Sequence, residues 1–435
     1  MTTTTAPPLP LPAAAPAAAR TVFALLRRLS VGTLDVQLPD GTQCRFGPGR
    51  PEEPQAAIRL LDWSVCGAAL KSGDIGFAES FIEGGWTTPD LAALLRLFIA
   101  NREQIESVIY GSWWGALAYR LKHLLNRNTR RGSRKNIHAH YDLGNGFYRL
   151  WLDETMNYSS AWFEGDLTRP SAQAQTAKVR RALAQCGVGP GQRVLEIGCG
   201  WGAVAEAATA GLGARLTGVT LSSEQLAWAR ARLDAAGATD RADLRLQDYR
   251  DIDDGPYDAV VSIEMFEAVG REYWGSYFET VQRQLVPGGR ACIQTITIRD
   301  DLFERYLRST DFIQQYIFPG GLLPSRAAFR AEVAKAGLEV VDEFAFGRDY
   351  AETLRRWRAD FLARDGQVRQ LGFDTRFQRI WEFYLAYCEA AFDTGNTDVV
   401  QFTLRRPSQE DAGPPQASLP PSGGAPGAAR SWGRS

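Results

Sequence analysis

The stretch of sequence that decides the fold is Arg193-Val194-Leu195-Glu196-Ile197-Gly198-Cys199-Gly200-Trp201-Gly202. In its first half, Val194, Leu195 and Ile197 are apolar and partly β-branched, which is typical of a strand that is covered on both faces. The three glycines that follow permit positive φ angles and let a ligand come close to the backbone. Residues 203–208 then favour a helix. We therefore expect a strand, a glycine-rich turn and a helix whose N-terminal amides face the end of the strand.

The spacing of these glycines bears on the ligand that the turn would bind. A dinucleotide-binding turn needs G-x-G-x-x-G and an acidic residue about 20 positions later. Here the spacing is G-x-G-x-G, and the next predicted strand ends at Thr220 without an acid. Glu196, just before the first glycine, can instead bind an amino group. The amino-acid end of S-adenosylmethionine (SAM) carries such a group, so the pattern favours SAM over a nucleotide, with a tight turn that binds nothing as the third interpretation.

Length and composition limit the class of protein. A chain of 435 residues can hold two domains, and its net charge of −1 says little about partners. Six scattered cysteines without a C-x-x-C pair indicate a reducing cytoplasm and argue against zinc or a disulfide framework. We expect neither a signal peptide nor a membrane-spanning segment. Any function on lipid would then be exerted from the cytoplasm, peripherally on the inner face of the membrane.

Composition and pattern divide the chain into five parts. The two ends are rich in Pro, Ala, Gly or Ser and are predicted to be disordered. The first ordered unit is expected to begin with a β-hairpin and to contain a helix capped by Asp90. The expected parts are a tail (1–18), a small N-terminal domain (19–103), a basic amphipathic helix and linker (104–136), a catalytic domain (137–407) and a second tail (408–435).

The basic segment 104–136 is the most uneven in charge. It carries tryptophans and leucines at roughly helical spacing together with basic residues, and no acid lies between Glu106 and Asp142. This combination suits an anionic membrane surface. A docking helix followed by a solvated basic linker is the alternative. We expect no nucleic-acid partner, because nothing else in the chain resembles a nucleic-acid-binding module.

From Gly191 onward, strands and helices alternate as in a doubly wound sheet. Two longer insertions, 299–325 and 350–396, are rich in aromatic residues and follow strand ends. We expect them to cover the cofactor site with a surface suited to an apolar substrate, or else to complete a core. Strands are predicted over 193–197, 215–220, 242–247, 257–263, 290–298, 338–346 and 398–405. Helices are predicted over 202–210, 223–236, 271–286 (ended by Pro287-Gly288-Gly289) and 326–336.

Polar residues in otherwise apolar strands are candidates for a catalytic or ligand-binding role. Glu264 and Glu267 leave a buried strand, where a carboxylate needs a partner, and we expect Glu267 to be the functional one. Gln294 lies in another apolar strand and either satisfies a neighbour or faces the active site. His138 and His140 stand one residue apart, but no further ligand set completes a metal site, so we expect no metal.

Several motifs resemble the cyclopropane fatty acid synthase family, in the family's order and within residues 136–405. The first is His140-Tyr141-Asp142-Leu143-Gly144-Asn145, which resembles the opening of the family's catalytic domain. The resemblance extends weakly over the N-terminal unit. The further matching motifs are Met156–Trp162, Leu195–Gly202, Gly218–Ser222, Gln247–Arg250, Met265–Glu267 and Tyr316–Gly320.

The resemblance implies an α/β fold of the class I SAM-dependent methyltransferase type, a Rossmann-like doubly wound sheet. Beside it we expect the small N-terminal domain and the helical insertions that cover the substrate. The implied reaction is methyl transfer from SAM to the cis double bond of an unsaturated acyl chain in a membrane phospholipid, which forms a cyclopropane fatty acid. Together with Glu196, the residues expected to contact SAM are Tyr158, Ser159, Gly198, Gly200, Thr220, Leu221, Gln225, Gln247 and Asp248.

The resemblance also implies a bicarbonate ion as the base, held in the family by a Cys, a Glu, a His and a Tyr. Glu267 and Tyr350 match, whereas Ser160 stands at the Cys position and Gln294 at the His position. Glutamine cannot take up a proton as histidine can. The product is therefore open between a cyclopropane and a methyl- or methylene-branched chain.

Two other functions stay open: a SAM enzyme for a soluble small molecule, and a SAM- or lipid-binding protein without turnover. The basic segment 104–136 argues against the first of these. The substitutions Ser160 and Gln294 are the reason to consider the second. An N-terminal unit beside a lipid site is also compatible with a homodimer.

Overall fold

The computed structural model describes residue 12 and residues 15–105 and 143–408. Apart from residues 104 and 105, the predicted basic segment 104–136 lies outside the described residues, as do His138 and His140. The first helix begins at Ala17, inside the predicted tail 1–18, and Ala19 and Phe23 on it are buried. Composition alone puts the end of the tail after the true start of this helix, because the alanine-rich first turn resembles the preceding low-complexity sequence.

The N-terminal unit is a four-stranded sheet, in the order β2-β1-β3-β4, with three helices. The predicted hairpin is confirmed, since Leu34 pairs with Phe46 in antiparallel register. The predicted cap is confirmed as well, because Asp90 accepts a hydrogen bond from the amide of Ala93 at 3.0 Å. The elements are β1 (Thr33–Gln37), β2 (Gln43–Phe46), β3 (Gln55–Leu60), β4 (Trp86–Thr87), α1 (Ala17–Leu26), α2 (Ser64–Ile82) and α3 (Leu91–Ala100).

The second sheet has seven strands in the order β10-β11-β9-β8-β5-β6-β7. Strands β5 to β9 run parallel to one another, and β11 lies antiparallel between β9 and β10. All seven predicted strands are present. They are β5 (Arg193–Ile197), β6 (Arg215–Thr220), β7 (Ala242–Leu246), β8 (Tyr257–Ile263), β9 (Leu285–Ile298), β10 (Glu339–Ala345) and β11 (Thr397–Arg405).

The strand order places a ligand crevice at one edge of this sheet. The chain passes from β5 to β6 on one side and then crosses to β8 on the other side. Such a reversal leaves a crevice at the carboxyl ends of the strands. The helices along the sheet are α4 (Asn145–Tyr148), α5 (Ser171–Gln185), α6 (Ala203–Glu206), α7 (Ser223–Ala235), α8 (Trp274–Gln284), α9 (Asp300–Tyr306), α10 (Phe312–Tyr316), α11 (Arg326–Lys335), α12 (Gly347–Ala363), α13 (Asp365–Gln370) and α14 (Thr375–Asp393).

The predicted boundary between one helix and the strand that follows it is wrong. The helix expected over 271–286 ends at Gln284, and β9 begins at Leu285 and continues through Pro287-Gly288-Gly289. Tertiary pairing overrides the local helix-ending signal here. The amide of Gly288 donates to the carbonyl of Arg406, the amide of Arg406 donates to the carbonyl of Gly289, and a register shift in β8 admits the extra residues.

The N-terminal unit packs against α14 of the catalytic domain. Phe383 on α14 is fully buried, with its ring centroid 5.9 Å from that of Phe81 on α2 and 4.8 Å from that of Phe312 on α10. Arg96 on α3 donates to Asp393 on α14 at 2.8 Å. One hydrophobic core therefore includes residues of both units. Across the described ranges, no helix combines the length and apolar character needed to cross a membrane.

We expect Phe383→Ala to lower the free energy of unfolding by about 3–5 kcal/mol, because it opens a cavity where three helices meet. Urea denaturation measures this change. The control is Leu371→Ala, whose side chain is 48% exposed, and a surface substitution changes stability by about 0.5 kcal/mol or less. Equal losses of unfolding free energy in the two variants would contradict the buried packing of Phe383 between α2, α10 and α14.

Candidate active site

A cavity at the carboxyl ends of β5, β6 and β8 contains the glycine-rich turn. We call it the cofactor cavity. It is the crevice that the strand order predicts. All of the residues that the sequence analysis expected to contact SAM line it: Tyr158, Ser159, Glu196, Gly198, Gly200, Thr220, Leu221, Gln225, Gln247 and Asp248.

The glycines of the turn have different roles. Gly198 and Gly202 have φ angles of 87° and 85°, and a Cβ atom on either would lie 2.9 Å from a neighbouring side chain, Met265 or Ala229. Gly200 has φ 49°, but a Cβ atom there would meet nothing within 4 Å. The outer two glycines are therefore needed for packing and the middle one borders open ligand space, as the sequence predicted for a close approach to the backbone.

Glu196 provides a direct test of whether the cavity fits SAM. Its side chain is buried, and its Oε2 atom has no hydrogen-bond partner among the described residues. Burial raises the pKa of this carboxyl well above its usual value. A buried carboxylate oxygen needs a donor. The ammonium group of SAM would supply both a donor and a compensating charge.

Two further cofactor candidates are already hydrogen-bonded. The hydroxyl of Thr220 donates to Gln225 Oε1 at 3.1 Å, which fixes the amide at the start of α7. Asp248 accepts from the guanidinium of Arg250 at 2.8 and 2.6 Å. The expected contact of Asp248 with SAM would therefore use the remaining lone pairs of a carboxylate that Arg250 holds in place.

A second, mostly apolar cavity adjoins the first, and we call it the acyl cavity. Both long insertions line it, whereas among the described residues none from 299–325 or 350–396 lines the cofactor cavity. The insertions therefore cover this second, apolar cavity and not the cofactor site itself, which they had been expected to cover. The first insertion contributes Tyr306, Asp311, Ile313, Gln314, Phe318, Pro319, Gly321, Leu322 and Leu323, and the second contributes Tyr350, Leu354, Tyr384, Tyr387, Cys388, Ala391 and Phe392. Glu267 and Tyr350, two of the four predicted catalytic residues, also line this cavity.

The acyl cavity continues toward the N-terminal unit. A third cavity lies between α1, α2 and α3 on one side and the first insertion and α14 on the other. It shares six lining residues with the acyl cavity: Tyr306, Asp311, Leu323, Tyr387, Ala391 and Thr397. The acyl cavity and this third cavity therefore adjoin at these six residues.

Three residues, Tyr158, Glu264 and Ala268, line both the cofactor cavity and the acyl cavity. The hydroxyls of Tyr158 and Tyr384 lie 2.7 Å apart, which joins α14 to the segment before α5. Glu264 lies at this junction with a φ of 50°. A left-handed backbone is costly for a residue with a side chain, and such residues concentrate at functional sites.

The carboxylate of Glu264 collects three hydrogen bonds from predicted catalytic residues. Its Oε1 accepts from the backbone amide of Ser160 at 2.9 Å and from Gln294 Nε2 at 2.7 Å, and its Oε2 accepts from the hydroxyl of Tyr350 at 2.6 Å. The hydroxyl of Ser160, which was expected to face an anion, donates to the carbonyl of Ala161 instead. The structure thus brings Ser160, Gln294 and Tyr350 together around Glu264.

Glu267 differs from Glu264 in its surroundings. Its Oε1 accepts from the amide of Ile296 at 2.5 Å, and its Oε2 has no partner among the described residues. Burial, followed by the charge of Glu264, raises its pKa to about 8. Glu267 is therefore largely a neutral acid at pH 7. Two adjacent carboxyl groups with different environments commonly divide acid and base roles.

The sequence analysis missed Lys178, a fully buried cation in the same region. Its ammonium group donates to the hydroxyl of Ser159. Burial lowers its pKa to about 8, while Glu264, Asp153 and Glu196 favour its charged form. Helical periodicity could have identified it as buried. Lys178 lies four residues after Ala174 and four before Ala182, on the stripe of α5 that faces the core.

Comparisons with known proteins agree with this geometry. A family model described as mycolic acid cyclopropane synthetase matches residues 128–402. The tuberculostearic acid methyltransferase UfaA1 of Mycobacterium tuberculosis is 40% identical and covers 88% of this chain and 90% of its own. The cyclopropane-fatty-acyl-phospholipid synthase of Escherichia coli K12 is 32% identical and covers 81% of this chain and 88% of its own.

A solved structure matches the catalytic domain. The mycolic acid cyclopropane synthase CmaA1, complexed with S-adenosylhomocysteine (SAH) and CTAB, is 33% identical with a TM-score of 0.59, and the match covers 62% of this chain and 98% of that one. SAH is what remains of SAM after methyl transfer. The chain therefore belongs to the mycolic acid cyclopropane synthetase family and is a SAM-dependent methyltransferase that modifies fatty acyl chains.

Proposed function

We propose that this enzyme transfers a methyl group from SAM to the cis double bond of an unsaturated acyl chain of a membrane phospholipid. The observation that supports this most is the meeting of the cofactor and acyl cavities at Tyr158, Glu264 and Ala268. A sulfonium in one cavity and an apolar chain in the other would come into contact at that junction. An apolar cavity lined by aromatic residues suits an acyl chain better than a polar small molecule.

The chemistry of an alkene explains the lining of the junction. An alkene is a weak nucleophile, so the methyl group must be held close and in line with it. The π electrons form the new carbon–carbon bond, the carbon–sulfur bond breaks toward sulfur, and a carbocation remains. The aromatic faces of Tyr158, Tyr350 and Tyr384 stabilise a cation without capturing it. The covering helices exclude water, which would trap the cation as an alcohol.

For the product, we propose a chain that carries a methyl or methylene branch and retains a double bond. Relatives that are named methyltransferases support this, including UfaA1 and a probable fatty acid methyltransferase of Pseudomonas putida that is 32% identical over 86% of this chain. Ser160 and Gln294 depart from the ligand set that the cyclopropane resemblance implies. The cyclopropane fatty acid is the second candidate, supported by the family model and by relatives named cyclopropane synthases.

We also propose that the enzyme works peripherally at an anionic membrane on its cytoplasmic side, as a monomer or homodimer. The basic segment 104–136 supports the membrane surface by its charge and tryptophans. Since it lies outside the described residues, this proposal rests on the sequence. Binding to vesicles of anionic and of neutral lipid, at low and high salt, tests it.

Mass spectrometry of fatty acids from a host that expresses the protein tests the reaction and the product together. Methyl transfer followed by proton loss adds one CH2 unit to an unsaturated acyl chain. Mild hydrogenation then saturates a branched alkene and leaves a cyclopropane intact. No added CH2 unit in a host rich in unsaturated phospholipid would contradict the proposed reaction.

We expect Glu196→Gln to weaken SAM binding by about 1.5–3 kcal/mol, because it removes the charged partner of the ammonium group. That is roughly a 10- to 150-fold rise in Kd, which isothermal titration with SAM measures. Glu279→Gln, on an exposed position of α8, is the control and leaves the Kd unchanged. Equal affinities in the two variants would mean that Glu196 does not face the bound cofactor.

We expect Ala391→Phe to obstruct the passage between the acyl cavity and the N-terminal unit, because Ala391 lines both cavities there. Overpacking typically costs about 1–3 kcal/mol, so kcat/KM for a long acyl chain falls at least about 5-fold. Affinity for SAM is unchanged. The matched control is Ala363→Phe at an exposed position of α12. Full activity of Ala391→Phe on long chains would exclude this passage as part of the substrate path.

A further inference from the structure

We infer that the carboxylate of Glu264 occupies the anion site for which the resemblance implies bicarbonate, and that it is the enzyme's own proton acceptor after methyl transfer. The proton-acceptor role rests on the proposed function, whereas the occupation of the anion site rests on geometry alone. Five observations support the inference.

The first observation is the set of donors. Of the four residues expected to hold a bicarbonate ion, Ser160, Gln294 and Tyr350 all donate to Glu264, at 2.6–2.9 Å. The fourth, Glu267, instead accepts a hydrogen bond from the amide of Ile296. A free bicarbonate would have to displace Glu264 from these donors. It would also add another negative charge beside two buried carboxyl groups.

The second observation is a chain of amides that ends on the same carboxylate. Arg181 donates to Gln401 Oε1 at 2.8 Å, and Gln401 Nε2 donates to Gln294 Oε1 at 3.0 Å. Gln294 Nε2 then donates to Glu264. Because a guanidinium can only donate, it orients both amides so that their NH2 groups point toward Glu264.

Strand pairing holds this amide chain in place. Gln294 on β9 and Gln401 on β11 are direct partners in the antiparallel register, and both side chains are fully buried. We therefore regard Gln294 and Gln401 as positioning residues. Gln294 stands at the family's histidine position and holds the carboxylate without exchanging a proton.

The third observation is the location of Glu264. It lines both the cofactor cavity and the acyl cavity, so it borders the place where methyl donor and chain would meet. Glu267 lines the acyl cavity alone. A carboxylate at the junction faces positive charge throughout the reaction, first on sulfur and then on carbon.

The fourth observation is the backbone of Glu264. Its φ of 50° turns the residue out of the end of β8, and its amide donates to the carbonyl of Gln294 at 2.8 Å. This conformation costs a non-glycine residue about 1–2 kcal/mol. The fold retains that strain while it places the side chain among three donors.

The fifth observation is the charge around the carboxylate. Burial raises the pKa of Glu264, whereas Lys178 and the hydrogen bonds from Tyr350, Ser160 and Gln294 oppose that rise. Glu267 has one amide donor, and its pKa lies near 8. Of the two carboxyl groups, Glu264 has the surroundings that favour the ionised form.

The proposed step balances without a co-reactant beyond SAM and the chain. After the methyl group has moved, Glu264 takes a proton either from the new methyl group or from a chain carbon next to the cation, and the C–H electron pair forms the new bond to the cationic carbon. Loss from the new methyl group gives a cyclopropane, and loss from a neighbouring chain carbon gives a methylated alkene. Glu264 becomes a neutral acid, which must lose its proton before the next turnover.

Two substitutions separate a built-in base from an exogenous one. Glu264→Gly removes the carboxylate, leaves its donors free and suits the positive φ. Glu264→Gln fills the same space with a neutral amide. We expect both to lose turnover by about 100-fold or more, since this is the usual contribution of acid–base catalysis. Added bicarbonate restores part of the turnover of Glu264→Gly and none of that of Glu264→Gln.

The assay measures SAH release with vesicles of dioleoyl phosphatidylglycerol in buffer freed of carbon dioxide, with and without added bicarbonate. We expect the wild type to turn over equally under both conditions, as does the control Glu279→Gln. Loss of wild-type turnover without bicarbonate would overturn the inference. So would wild-type levels of turnover in Glu264→Gln.

A binding measurement provides a readout that does not depend on activity. Carbon-13 NMR of labelled bicarbonate, with SAH present, should detect binding to Glu264→Gly and none to the wild type. Binding to the wild type would overturn the occupation of the anion site by Glu264. If the wild type releases no SAH on unsaturated vesicles, the proposed function and the proton-acceptor role fail, while this measurement still decides whether Glu264 fills the site.

Discussion

Burial of the Glu264 carboxylate imposes the strongest constraint on the arrangement of the site. Removing an ion from water costs several kcal/mol, and only donors of good geometry offset that cost. The donors come from three separate parts of the chain: the segment before α5, strand β9 and helix α12. The cluster forms only when the segment before α5, strand β9 and helix α12 all take their native positions. Assembly of the site therefore requires the folded domain.

The same arrangement explains why the insertions belong to the catalytic machinery. Tyr350 begins the second insertion and reaches Glu264, and Tyr384 further along it meets the hydroxyl of Tyr158. The helices that cover the acyl cavity are thus hydrogen-bonded to Glu264 and Tyr158, two residues at its junction with the cofactor cavity. Helix α14 also carries Phe383, which packs between the N-terminal unit and the first insertion. Helix α14 therefore contacts the N-terminal unit and lines the acyl cavity at the same time.

Much of the fold was accessible from the sequence because its signals are local. Apolar β-branched runs predicted all seven strands of the large sheet, and Asp90, as an N-cap residue, predicted the start of α3. Errors arose where tertiary pairing overrode a local signal. Pro287-Gly288-Gly289 is a typical helix-ending sequence. It nevertheless lies within a strand, because the flanking Leu285 and Arg290 pair with β8 and the two glycines exchange hydrogen bonds with Arg406.

By itself the sequence determined the cofactor half of this protein. The turn from Gly198 to Gly202 and the residues expected to contact SAM all line one cavity, because most of them stand at the carboxyl ends of the parallel strands β5, β6 and β7, which meet at one edge of the sheet. Only the tertiary structure decided which of the two carboxyl groups accepts the hydrogen bonds of Ser160, Gln294 and Tyr350. Glu264 and Glu267 look alike in sequence, three residues apart at a strand end. Their difference depends on Ser160, Gln294, Tyr350 and Lys178, which are distant along the chain and act on them only through the folded, water-poor interior, where each hydrogen bond and charge has its largest effect.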